Sequence, residues 1–292
     1  MSVERPEIRC REISVGDVSA ITLLLEKGFP ERTHAHWRRG LQRMAEHVTP
    51  PGFPKYGYLL ECDGLPVGVI LVIFSSMPAN GENVIRGNVA SWYVEPAFRG
   101  YATMLTSHAL ARKNVTYLNI SPAPRTWPIL EAQGYKRYCT GQFMALAALR
   151  RGASRVRIAA VATELQAGDG LSPGETQLLL AHASYGCHSV TCSADNRRHP
   201  FVFMRCWHRW KIGRLPYALL VYCRNLDDFI QNAGPLGRYL AWRGMPVVFI
   251  DSAGPIAGLL GATIDMGPKF FKGPQPPHLG DLAYTEHVMF DL

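Results

Sequence analysis

The sequence predicts an α/β protein built as two domains, and three observations carry that reading. Short apolar runs of strand character alternate with segments of helical periodicity along the chain. One such strand, in residues 88–105 (NVASWYVEPAFRGYATML), reaches Pro96, turns through Arg99-Gly100 and leaves as a helix over 101–112. Near mid-chain, residues 149–155 (LRRGASR) are basic, small and turn-rich, the composition of a linker. The expected domains are therefore 1–149 and 150–292, and 292 residues is the length of about two ordinary domains.

In the first domain, residues 8–13 read as a strand, and a helix over 18–27 ends at Gly28-Phe29-Pro30. Thr33 is placed to cap a second helix, whose apolar positions Trp37, Leu41 and Met44 recur at helical spacing. Residues 49–54 (TPPGFP) form a stiff loop. Strands over 58–62 and 66–74 flank Asp63-Gly64, a strong signal for a two-residue hairpin turn. Residues 77–83 read as another loop. After the central strand and helix come a short strand over 115–120, a helix over 126–133 stopped by Gly134, and a strand from Tyr135 to about 147.

The second domain opens at residues 156–165. It continues with a helix over 175–183, strands over 190–192 and 201–206 around the loop 195–198, a strand over 217–223, a helix over 226–242 and a strand over 247–251. A short helix from Pro255 ends at Gly261, and extended stretches follow over 262–266 and 283–290. The strand, proline-bearing turn, helix and glycine of 118–134 are echoed in 249–261, which suggests that the second half is a degenerate copy of the first.

Composition is globular, 47% hydrophobic and 18% charged, and the longest apolar runs fall far short of the roughly 20 residues of a membrane span. The N-terminal residues are charged and lack the apolar core of a signal peptide. Seven cysteines, an odd number in mostly apolar surroundings, read as reduced buried thiols, so the expected location is the cytoplasm. A net charge of +8 attracts anions: a nucleotide-bearing cofactor, an acidic carrier protein, nucleic acid or a membrane surface.

A strand that stops at a basic, glycine-containing turn and feeds a helix aims backbone N–H groups and a helix N-terminus at one spot, which suits a phosphate. The Val94-x-Pro96-x-x-Arg99-Gly100 stretch resembles motif A of the GNAT acyltransferase superfamily, whose members hold the pyrophosphate of an acyl-CoA there. The element order over about 6–148 and the Gly134-Tyr135 ending also resemble that family. The resemblance implies a mixed-sheet GNAT-like fold and an N-acyltransferase using acyl-CoA, such as acetyl-CoA, as co-substrate, with a small-molecule or peptide amine as acceptor. No metal is expected.

Under the resemblance the N–H groups of Arg99, Gly100, Tyr101, Ala102, Thr103 and Met104 bind the pyrophosphate, and Thr103 adds a hydroxyl. Tyr93 and Val94 pair with the pantetheine like an added strand, and Asn119 and Ser121 face the donor arm. The sequence departs from the motif at Ala102, in place of a glycine, and at Met104, in place of a small residue. Leu130 stands where many members carry a tyrosine acid. Asn88, Ala90 and Trp92 alternate along one strand face without offering a base, so Glu95, Tyr93, Tyr101 and Ser121 are catalytic candidates by position only.

His34 and His36 read as surface residues at the start of the second helix. The Cys187, His188, Cys192, His199, Cys206 and His208 set lacks zinc-ligand spacing. The basic aromatic run 207–211 (WHRWK), with Arg197, Arg198, Arg205 and Arg214, could stack nucleobases and neutralise phosphates of an RNA partner, but arginines snorkelling on a two-stranded ribbon are the commoner explanation. Residues 270–284, rich in Gly, Pro and aromatics, are expected to form part of an acceptor pocket between the halves, with Asp281, Tyr284 and Glu286 as its polar groups. Two other classes stand beside the enzyme: a non-catalytic acyl-CoA or acyl-carrier binding protein, and an aminoacyl or acyl transferase using a charged RNA or carrier protein.

Overall fold

Asp63 and Gly64 adopt φ of 49° and 79°, the left-handed pair that a tight hairpin turn requires. They join two of the central strands of a mixed sheet. The structure is a computed structural model that describes residues 6–79, 82–151, 156–162, 164–194, 197–210 and 213–291. By its contacts the chain forms two units. One is Met1–Ile120 with Lys272–Gln275 and Tyr284–Leu292, and the other is Ser121–Phe271 with Pro276–Ala283.

The first unit runs β1 (Ile8–Glu12), α1 (Val18–Gly28), α2 (His34–Glu46), β2 (Gly57–Cys62), β3 (Leu65–Ala79), β4 (Glu82–Val94), α3 (Ala102–Ala109) and β5 (Val115–Asn119). Its strands lie in the order β1-β2-β3-β4-β5. Only β4 and β5 are parallel, which is why a helix must cross between them. Thr33 caps α2 as its sequence asks, its side chain accepting from the His36 N–H, and Trp37, Leu41 and Met44 are buried. Such a cap is worth about 1 kcal/mol. The loop expected over 77–83 is narrower. Met77, Pro78 and Ala79 pair with Val84, Asn83 and Glu82, so the hairpin ladder runs almost to its tip. Asn80 and Gly81 lie outside the described residues.

The second unit begins with α4 (Trp127–Ala132), β6 (Lys136–Cys139) and β7 (Gly141–Ala145). The single strand expected from Tyr135 to about 147 is thus two strands broken at Thr140. β6 pairs with the late strand Lys269–Lys272, whereas β7 enters the sheet of the second unit. There follow β8 (Arg157–Ala160), α5 (Pro173–Ser184), β9 (His188–Ala194), β10 (Arg197–Trp210), β11 (Gly213–Cys223), α6 (Leu226–Ala241), β12 (Val248–Ser252), β13 (Gly261–Ile264) and β14 (Lys269–Lys272). The sheet order is β13-β7-β12-β11-β10-β9-β8. Its core gathers Phe143, Phe201, Phe203, Leu220, Phe229, Leu236 and Ile250. Of the linker expected at 149–155, residues 152–155 lie outside the described residues, as do Asp195, Asn196 and Lys211.

The echo between halves holds in element order. β8-β9-β10-β11-α6-β12 repeats β1-β2-β3-β4-α3-β5, with three antiparallel pairings followed by one parallel pairing in each. Residues 253–260 form turns and not the expected short helix, and the extended stretch expected over 283–290 is a helix, α7 (Glu286–Phe290). Tyr284, at φ 55°, breaks the extended path, and Val288, Met289 and Phe290 are buried by coiling. The division by contacts falls after Ile120 and not after residue 149, because β7 pairs with β12 and β13 and because α7 packs on α2 in the first unit.

Candidate active site

In β3–β4 the register is regular from Glu82 to Ala90, which faces Leu71. The next pairs are Trp92 with Ile70 and Tyr93 with Val69, leaving Ser91 as an extra residue at φ 44°. A bulge of this kind bends a strand and changes which way its side chains point. Trp92 therefore lies on the face opposite Asn88 and Ala90, and Tyr93 takes the place expected of it. This corrects the simple alternation of the sequence reading, and it has a cause: one inserted residue inverts the period of two.

The bend opens a fork. β4 and β5 pair only from Ile85–Val115 to Asn88–Leu118. β5 ends at Asn119, while β4 continues to Val94 with β3 on one side and, among the described residues, no strand on the other. The crevice beyond the carboxyl ends of adjacent parallel strands is where α/β sheets accept ligands. Asn88 sits at the mouth, buried. Its Nδ2 donates to the Leu118 carbonyl at 3.4 Å, and its Oδ1 accepts from the Glu286 N–H at 2.7 Å.

Beyond the fork, the Glu95 N–H donates to the Val67 carbonyl, and Pro96–Tyr101 form a 3-10 turn that runs straight into α3. No side chain caps α3, and its first turn carries no acidic residue. A Cβ built on Gly100 would meet nothing within 4 Å, and Arg99 is exposed without an ion-pair partner among the described residues. Ala102 has φ −59° and ψ −34°, an ordinary helical conformation, so the alanine in place of a motif glycine carries no strain. Met104 is half-buried along α3, and Thr103 and Tyr101 are exposed. The Ala102 N–H is engaged by the Arg99 carbonyl, so not every N–H of the turn points outward.

The positional catalytic candidates fare unequally. Glu95 is ion-paired with Lys27 at 2.9 Å, as befits a strand-end surface carboxylate. Tyr93 packs its ring against Gly28, where any Cβ would collide with it. Asn119 is half-buried at the end of β5, and Ser121 is the first residue of the second unit. Leu130 is buried in α4, four residues before Gly134 at φ 85°. Of the expected acceptor-pocket groups, Tyr284 and Glu286 are buried in the first unit and Asp281 is buried in the second.

Sequence reasoning missed the packing of α7 beside the fork. α7 starts at Asn88, and a helix rise of about 1.5 Å per residue brings Phe290 roughly 6 Å further on. There Phe290 fills the space over Gly40, and its ring lies 5.7 Å from that of Trp37 and 5.9 Å from that of His36. Arg43 ties the tail down, donating to the Val288 carbonyl at 2.9 Å and pairing with Asp291 at 2.7 Å. His36 is half-buried rather than a surface residue. Burial first, then the nearby Arg32, hold its imidazole below the usual histidine range, and its Nε2 has no hydrogen-bond partner among the described residues. The indole N–H of Trp37, only 3% exposed, is likewise without one. His34, two positions earlier, is exposed and pairs with Glu26 at 3.0 Å. The available signal was the position of His36 next to Trp37 on the apolar stripe of α2.

No family model matches the sequence, and no curated protein matches it. Solved structures do. A GCN5-related N-acetyltransferase from Anabaena variabilis aligns over 91% of this chain and 72% of its own, at 10% identity and a TM-score of 0.58. A putative acetyltransferase from Pyrococcus horikoshii aligns over 95% and 93%, at 12% identity and a TM-score of 0.54. The chain has the GNAT fold. A probable N-acyltransferase from Enterococcus faecalis aligns over 91% and 72%, at 11% identity and a TM-score of 0.54. At such identities the likeness speaks for the GNAT fold alone, over both units.

The second unit closes what the first leaves open. β11 and β12 are parallel only at Ala218–Val248 and Leu219–Phe249 before they part. The edge of β11 beyond that point is covered by the chain itself: the Cys223 N–H donates to the Gly280 carbonyl at 3.0 Å and the Leu282 N–H to the Val221 carbonyl at 2.7 Å. At the start of α6 the Asn225 side chain accepts from the Asp228 N–H, and Asp227 and Asp228 occupy the first turn. Arg224, the basic residue of that turn, is held by Glu175 at 2.7 Å. Among the described residues no three His, Cys, Asp or Glu side chains group as metal ligands, and no helix is long and apolar enough to cross a membrane.

Proposed function

We propose that this protein is an acyl-CoA-dependent N-acyltransferase whose donor site lies in the first unit. The observation that carries the reading is the bare edge of β4 after Asn88, next to a helix start with no cap, no carboxylate and an open Gly100. An extended pantetheine arm would take the backbone groups of Tyr93 and Val94 as an added strand. The pyrophosphate would sit by Arg99, Gly100, Tyr101, Thr103 and Met104, with Asn119 beside the arm. Acyl transfer then has the amine nitrogen attack the thioester carbonyl carbon, with the thiol as leaving group. The acceptor is an amine entering on the Asn88, Ala90 and Tyr93 face, towards His36 and Trp37. His36, whose imidazole burial and then Arg32 hold below the usual histidine range, is our candidate to receive the acceptor's proton. The seven free cysteines fit a reducing compartment, the cytoplasm.

The test is calorimetric titration with acetyl-CoA and a longer acyl-CoA beside Arg99→Glu. Saturable binding that the variant loses supports the site, and absence of binding by both ligands overturns it. A second reading is favoured by the ion pair that engages Glu95 and by buried Leu130: an acyl-CoA or acyl-carrier binding protein without turnover. Release of free thiol from a bound acyl-CoA on adding amines separates the two, and a pH–rate profile that flattens in His36→Gln identifies the proton acceptor.

A further inference from the structure

The second unit carries an exposed surface made of none of the residues proposed for the donor site. The hairpin of β10 and β11 stays paired out to Trp210 and Gly213. On it Trp207 is 49% exposed and carries the Arg214 guanidinium 5.5 Å from its ring centroid. Arg205, two residues earlier and on the same strand face, donates to the backbone carbonyl of Arg243 just after α6. That bond brings Trp242, 91% exposed, and Tyr239, with Arg243 stacked 3.6 Å from its ring, alongside the ribbon. The three arginines are exposed, and none has a carboxylate partner among the described residues. The half-buried His188 reports the same field. After burial, Arg205 and Arg243 are what hold its imidazole below the usual range.

A nearly fully exposed tryptophan after α6 and a half-exposed one on the ribbon, on segments joined by the Arg205–Arg243 bond and accompanied by an arginine-stacked tyrosine and arginines without carboxylate partners among the described residues, are unlike ordinary surface. Arginine stems snorkelling over the ribbon account for Arg214 on Trp207, but they leave Trp242 bare. Self-association through this patch would set like charges against one another, so a second copy of the chain is disfavoured. Exposed rings with arginine planes between them are how single-stranded nucleic acid is held, bases stacking on aromatics and phosphates meeting guanidinium groups. We propose that the surface formed by Trp207, Arg214, Arg205, Arg243, Tyr239 and Trp242 binds single-stranded RNA. The binding is independent of the donor site in the first unit.

The experiment is fluorescence anisotropy of a labelled mixed-sequence RNA of about 16 nucleotides at low salt. It runs with the wild type, the Trp207→Ala/Trp242→Ala double variant and Arg214→Gln, and with phosphatidylcholine–phosphatidylserine vesicles as a second arm. RNA binding that falls about tenfold or more in the tryptophan variant is expected. The dependence of log K on log salt should lose about 0.7 in slope in Arg214→Gln. Because both tryptophans are exposed, the double variant keeps its circular dichroism and its acetyl-CoA titration. Absence of RNA binding, binding unchanged in the double variant, or vesicle binding at least as tight as RNA binding overturns the proposal.

Discussion

The two units share one order of strands and helices, yet they treat the same edge in opposite ways. In the first, β4 runs past β5 with its edge bare among the described residues, and α3 begins without a side-chain cap. In the second, residues 280–282 lie along the equivalent edge of β11, and α6 begins under Asn225 with two aspartates in its first turn. A helix start attracts anions through its unbonded N–H groups and its dipole. Asn225, Asp227 and Asp228 satisfy both from within the protein, whereas α3 has no side-chain cap and the space at Gly100 is open. The shared element order is therefore finished differently in the two units: the proposed donor site uses an edge and a helix start that the first leaves open, and the second fills both with its own chain.

The strongest way to break the contrast is to write the second unit's chemistry into the first. Gly100→Asp places a carboxylate beside the α3 start, where no neighbour obstructs it. Acetyl-CoA affinity is expected to fall at least tenfold with the melting temperature nearly unchanged, and unchanged affinity by calorimetry would remove the phosphate site from this turn. The converse experiment opens the closed edge. Gly280 has φ 78°, and a Cβ there would come within 2.8 Å of the Cys223 Sγ and 3.0 Å of Leu220. Gly280→Val should cost about 2–3 kcal/mol in denaturant unfolding, from left-handed strain and overpacking together. The stoichiometry should stay at one acyl-CoA per chain, because Asp227 and Asp228 still guard α6, and a second bound donor would show that the strand cover alone closes the site.

The smallest effect is a titration that sharpens the comparison without touching either edge. His47 of the first unit is buried against the Phe74 carbonyl, Lys55 and the Tyr284 ring. Burial first, with Lys55 adding to it, depresses its pKa from 6.5 despite the carbonyl contact. The folded protein thus declines a proton that the unfolded chain accepts. Stability is full above pH 6.5, falls as pH drops through that value, and levels off below the folded-state pKa. Urea midpoints between pH 7.5 and 5.5 should decline less steeply in His47→Gln, and equal slopes would assign the effect to other groups.

Local features were legible in the sequence, and features made by distant partners were not. Asp63-Gly64 and Thr33 announce a turn and a cap, because each acts on backbone within a few residues. The turn over Pro96–Tyr101 and the helix that follows it were legible for the same reason, and Ala102 takes an ordinary helical conformation. Ser91 gave no warning, since the residue at positive φ is a serine and its bulge is set by the β3 ladder, not by its own preference. Residues 286–290 carry little helical signal of their own. Their coil comes from Gly40, Arg43 and Asn88, some two hundred positions earlier. His36 was misplaced with them, because the ring that buries it is Phe290.

The bond from the Glu286 N–H to Asn88 joins residues 198 positions apart. During synthesis the first unit therefore waits for nearly the whole second unit to be made before its last helix can dock. Until then α2 presents Trp37 and Gly40 to solvent, and the mouth of the fork lacks its clamp. We expect the nascent N-terminal half to expose that apolar stripe until α7 docks, which would make it a target for chaperones. Ribosome-bound chains stalled before residue 284 should bind no donor, so the proposed site is expected to appear only once residues 284–291 have been made.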